Sequence, residues 1–94
     1  MAIWHETLDL KNVWDPRVMN EDNHVCLLVD TIIASLKSLR DQENNKISKI
    51  DLDTWIQAWK EFQEEGDMSY GAFDDEWNDF YDWANRVRLW IEIV

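Results

Sequence analysis

The stretch DMSYGAFDDEWNDFYDWANRVRLWIEIV, residues 67–94, decides the fold: it reads as one amphipathic helix running directly into one strand. Asp67-Met68-Ser69 supplies side-chain acceptors for a helix start. Tyr70, Phe73, Trp77, Phe80, Tyr81 and Ala84 then recur at steps of three and four, which predicts one aromatic face turned toward a core. Asp74, Asp75, Glu76, Asp79 and Asp82 lie between those positions, and Asp75, Asp79 and Asp82 share a second face because they fall at i, i+4 and i+7. After Asn85-Arg86 the period drops to two. Val87, Leu89, Ile91 and Ile93 take one side, and Arg88, Trp90, Glu92 and Val94 take the other, so a strand ends the chain.

Upstream, Ser48-Lys49-Ile50-Asp51 resembles a capping box and opens a helix carrying Leu52, Trp55, Ile56, Trp59 and Phe62. Gly66 is expected to end that helix in the left-handed conformation. Residues 41–45 contain no apolar side chain and read as an exposed loop. A longer helix before it starts near Asn20, with Glu21 and Asp22 at its positive end and Lys37 and Arg40 near its negative end. Val25, Leu28, Val29, Ile32, Leu36 and Leu39 form its apolar stripe. Lys11 to Met19 is a connector pinned by Val13 and Trp14, in which Asp15-Pro16 suits a turn or one helical turn with proline first. Ala2 to Leu10 reads as a strand with Trp4, Leu8 and Leu10 on one face, although Glu6 interrupts the apolar side. The expectation is one α+β domain over residues 1–94, in the order β-α-α-α-β. Three helices pack on a two-stranded ribbon made by the two ends of the chain, since lone strands leave backbone groups unpaired.

The formal net charge is −11, and it is concentrated. From Asp51 to Asp82 eleven acids stand against the single base Lys60. Direct contact with nucleic acid or an anionic membrane is disfavoured, and a basic protein partner is favoured. Cys26 is the only cysteine, which rules out an intrachain disulfide and fits a reducing cytoplasm. No apolar run approaches the ~20 residues that span a bilayer, and the first residues lack a signal-peptide pattern. A soluble cytoplasmic protein is expected.

Ile3 to Trp14, with Leu8-Asp9-Leu10 inside it, together with Phe73-Asp74, Tyr81-Asp82-Trp83-Ala84 and Arg88-Leu89-Trp90-Ile91, resembles a set of small acidic phage-encoded proteins of unassigned function. The resemblance covers the two ends of the chain. It implies a phage setting, hence a host-cell cytoplasm, and carries no catalytic residue across.

The residues argue against an enzyme. Asp51-Leu52-Asp53 begins like a calcium loop, but Trp55 and Ile56 stand where a ligand and a glycine are required. His5 and His24 have no histidine at helical spacing and no cysteine cluster, so they read as surface or structural residues rather than metal ligands. Cys26 reads as a small core or boundary side chain, and glycine occurs only at positions 66 and 71, too rarely for a phosphate-cradling loop. No catalytic residue, metal or cofactor is expected.

Two features remain. Acids four residues apart on a helix are separated by about 6 Å along its axis, near the spacing of successive phosphates on a strand. A nucleic-acid-binding protein could therefore accept the carboxylate face as a decoy, where the plain alternative is a solvated surface. Trp83, off its stripe, and Trp90, on the second face of the strand, would serve as anchors. The expected partner-binding set is Asp74, Asp75, Asp79 and Asp82, extended by Glu61, Glu64 and Glu65, with Trp83 and Trp90. The expected function is inhibition of a basic, nucleic-acid-binding host protein. Alternatives are a structural or assembly protein that homodimerises through its ribbon, and an immunity protein against a basic nuclease toxin.

Overall fold

The computed structural model describes residues 3–15, 17 and 20–93. Its elements are β1 (Glu6–Asp9), a 3-10 turn (Lys11–Val13), α1 (Glu21–Asp41), α2 (Lys49–Glu65), α3 (Tyr70–Arg86) and β2 (Leu89–Glu92). This is the β-α-α-α-β arrangement, with the two strands paired. They run parallel, Glu6 beside Leu89 and Asp9 beside Glu92. Parallel pairing follows from the helices between them. Each element doubles back on the one before, and four reversals, an even number, return β2 to the direction of β1.

Three side-chain caps start the helices. The side chains of Asn20, Ser48 and Ser69 accept from the backbone N–H of Asn23, Asp51 and Ala72. The α1 stripe is buried throughout, joined by His24 and Ile33. Helices α1 and α2 run antiparallel, tied at one end by Arg40 donating to Asp53 at 2.8 Å and at the other by Gln63 donating to Asp30. Helix α2 meets α3 through rings. Trp55 and Trp59 lie 5.3 and 5.6 Å from Phe80, and Trp59 lies 5.5 Å from Phe73. Such offset and edge-on pairs add to the burial of large apolar side chains. Leu8, Leu10, Leu89 and Ile91 close the core from the ribbon side.

Four expectations are corrected. Gly66 is extended (φ −80°, ψ 161°), not left-handed. Its N–H donates to the Phe62 carbonyl at 2.7 Å, and a Cβ there would collide with that same oxygen, so close approach is what demands glycine. Among the described residues the left-handed one is Arg88 (φ 63°), in the turn between α3 and β2. Tyr81 is exposed rather than part of the core stripe, and Trp77 is half-buried against Trp14 at 4.9 Å. Trp4 is outside the core as well, because a bend at His5 breaks the alternation before β1 begins at Glu6. Pro16 lies outside the described residues, as do Ala2 and Val94; the helical turn of the connector is formed earlier, by Lys11–Val13.

Candidate functional site

Helix α3 is wide-faced. Phe73, Phe80, Trp83 and Ala84 are all buried because α3 packs against α2 on one side and against the ribbon on another. A single contact line would have left Trp83 outside. Instead it is 7% exposed, lies 5.8 Å from Phe80 and 5.9 Å from Trp55, and belongs to the core. Trp83 therefore lacks the exposed ring that the expectation of an anchor rested on.

On the far side of α3, Asp75, Asp79 and Asp82 are exposed as their spacing requires. Asp82 has a cation near it, Arg86 Nε at 3.7 Å, with both side chains open to water. Asp74 stands apart from this row. It lines a cavity of about 300 Å³ together with Trp14, His24, Leu28, Tyr70 and Phe73. Glu76 is half-buried at the edge of the row, and its carboxyl is held above the usual range, chiefly by burial and further by the neighbouring charge of Asp79.

Glu61, Glu64 and Glu65 are exposed on α2. At about 100° per residue, Glu64 and Glu65 bracket Glu61 on the side opposite Leu52, Ile56 and Trp59. Since α2 and α3 lie side by side, the two acidic faces occupy adjoining helices. Among the described residues the ion pairs are Arg17–Asp15, Arg40–Asp41, Arg40–Asp53 and Arg86–Asp82. Asp75, Asp79, Glu61, Glu64 and Glu65 thus meet no cation of their own chain. Glu64 and Glu65 also occupy the last turn of α2, where the helix dipole is negative and no base is present. The first turn of α3, where acids would be favoured, holds none.

The ribbon carries the remaining candidate. Trp90 is 39% exposed, as expected for the second face of its strand. Trp4 lies against it with ring centroids 5.1 Å apart, and the Trp90 indole N–H donates to the Glu92 carboxylate at 2.6 Å. Sequence reading missed Trp4 as a surface residue; the signal was Glu6, whose polar side chain sits on the apolar parity and marks where that parity stops applying.

His24 is structural. Its Nδ1 pairs with the Tyr70 hydroxyl at 2.8 Å and its Nε2 with the Val13 carbonyl at 2.7 Å. A carbonyl only accepts, so Nε2 carries hydrogen and donates to Val13, while Nδ1 shares a hydrogen bond with the Tyr70 hydroxyl. This clamps the connector, α1 and α3 together. Among the described residues no group of three or more His, Cys, Asp or Glu could hold a metal ion, and no helix is long and apolar enough to cross a membrane. No protein-family model matches this chain, and neither a curated protein nor a solved structure matches it.

Proposed function

We propose that this chain is a small, non-enzymatic binding protein, phage-encoded and acting in the host cytoplasm, that inhibits a basic nucleic-acid-binding protein by covering its groove. The docking surface is the acidic outer flank of α2 and α3: Asp75, Asp79 and Asp82 with Glu61, Glu64 and Glu65. The observation that carries this reading is the set of five exposed carboxylates on those two helices with no cation of the chain beside them. An ordinary solvated helix mixes signs and gains from Glu–Lys pairs one turn apart, whereas like charges at that spacing repel. Charge held against local stability suits a surface whose counterions come from a partner. Asp74 belongs to the cavity beside His24, and the anchoring tryptophan is Trp90 rather than the buried Trp83.

The test is capture from host lysate on immobilised wild type and on Asp75→Asn/Asp79→Asn/Asp82→Asn. Nucleic-acid-binding proteins should be retained by the wild type, released by duplex DNA or by salt near 1 M, where charges farther apart than about 3 Å are screened, and lost from the triple variant. Identical capture by both proteins would reduce the row to a solvated face.

A further inference from the structure

The outer face of the ribbon holds a feature that the acidic helices do not account for. Thr7 and Asp9 of β1 and Trp90 and Glu92 of β2 alternate with the inward Leu8 and Ile91. In register, Thr7 stands beside Trp90 and Asp9 beside Glu92. Two acids are therefore cross-strand neighbours on one face, an arrangement that disfavours a sheet. Among the described residues neither forms an ion pair. Next to them the indoles of Trp4 and Trp90 meet at 58° and remain 36% and 39% exposed, with Ile3 open beyond them. The bond from Trp90 Nε1 fixes the Glu92 carboxylate at the rim of the ring.

Asp9 Oδ1 accepts the Lys11 backbone N–H at 3.0 Å and Glu92 accepts from Trp90, but neither charge meets a cation among the described residues, and one occupant suits both the open indoles and the acid pair. A guanidinium is planar, stacks on an indole face, and offers a fork of N–H donors to carboxylates. An ammonium matches the charge without the stacking. A second copy of this chain would bring Asp9 and Glu92 against acids again, in a protein of net charge −11. We propose that this face binds an arginine side chain of a basic protein partner, the guanidinium stacked on the Trp4–Trp90 pair and held by Asp9 and Glu92. The proposal uses no acid of α2 or α3 and shares only Trp90 with the docking surface above, so the triple variant of α3 separates the two.

The experiment titrates the full ¹⁵N-labelled chain with the capped peptide acetyl-Ser-Arg-Thr-Arg-Ser-amide, reading the indole N–H signals of its seven tryptophans. Parallel titrations replace both arginines with lysine or with uncharged citrulline. The arginine peptide should move the Trp4 and Trp90 signals, lysine should bind more weakly, and citrulline should move neither. Asp9→Asn/Glu92→Gln should weaken binding by about ten-fold, while Asp75→Asn/Asp79→Asn/Asp82→Asn should weaken it far less. Unchanged signals elsewhere in each spectrum show that the variant is folded. Equal response to citrulline, no loss in the ribbon variant, or shifts confined to α2 and α3 would each overturn the proposal. So would sedimentation showing a dimer that buries Trp90.

Discussion

The ends of α1 and the outer faces of α2 and α3 hold charge in different ways. Glu21 and Asp22 occupy the first turn of α1 and Arg40 its last, so each sits where the helix dipole favours it. Helix α2 ends on Glu64 and Glu65 without a base, and α3 keeps its first turn free of acids while spacing Asp75, Asp79 and Asp82 along one outer face. On α1, charge supports the fold. Asp51 in the first turn of α2 and Arg86 in the last turn of α3 are placed as favourably, but the end of α2 and the outer row of α3 work against the helices that carry them, and the rings between the two helices supply the offsetting stability.

The largest effect should therefore come from that seam. Trp59 is fully buried and touches Phe62, Phe73 and Phe80, so Trp59→Ala should cost about 3–5 kcal/mol in a urea melt. A loss below about 1 kcal/mol, the scale of an ordinary surface change, would mean that something other than the rings holds α3. The ends of the helices differ too. Helix α1 leaves into an extended Gln42, whereas α3 turns into β2 through Arg88 at φ 63°. A side chain in that region costs about 1–2 kcal/mol relative to its preferred conformations. Arg88→Gly should accordingly stabilise the protein by up to about 1 kcal/mol, the excess being offset by the freedom that glycine adds to the unfolded chain. A destabilised variant would show that the Arg88 side chain contributes more than its backbone strain removes.

A smaller effect tests the comparison by sign. Asp22→Asn at the start of α1 should destabilise by about 0.3–1 kcal/mol through the lost dipole interaction. Asp75→Asn/Asp79→Asn, which leaves the Asp82–Arg86 pair in place, should instead stabilise by a few tenths of a kcal/mol for the like-charged neighbours removed. The gain should shrink as salt screens the repulsion. Two variants with the same direction of change would erase the distinction between the helices.

The helix order and caps were legible because each rests on local chemistry: Asn20, Ser48 and Ser69 are side-chain acceptors placed just before apolar periodicity. The α1 stripe was legible for the same reason, since a helix packed along one line shows one stripe. Trp83 was not, because α3 has neighbours in two directions and its buried arc is broader than three- and four-residue steps imply. Gly66 shows the limit of such local reading: glycine is demanded both by left-handed backbone and by close approach, and the two are told apart by the Phe62 carbonyl 2.7 Å from the Gly66 nitrogen. The carboxylate row could be read from spacing. The outward pairing of Trp4 with Trp90 could not, since it depends on the parallel register of strands about eighty residues apart.

The smallest effect concerns Glu76, where the acidic face meets the core. Burial, then the charge of Asp79, raises its carboxyl above the ordinary value of 4.5. The folded chain consequently binds this proton more readily than the unfolded chain, and stability falls as pH rises through the window that opens at 4.5 and extends upward to the raised value. Asp15, lowered by its bonds to Arg17, acts in the opposite sense and loses its contribution below the ordinary aspartate range. Glu76→Gln removes the ionisable group while keeping its shape. The variant should be more stable than wild type at pH 7, and the two urea midpoints should converge as pH approaches 4.5. Midpoints separated by the same amount at both pH values would place Glu76 in the solvent with Asp75 and Asp79, and the boundary between core and acidic flank would have to be redrawn one residue closer to Trp77.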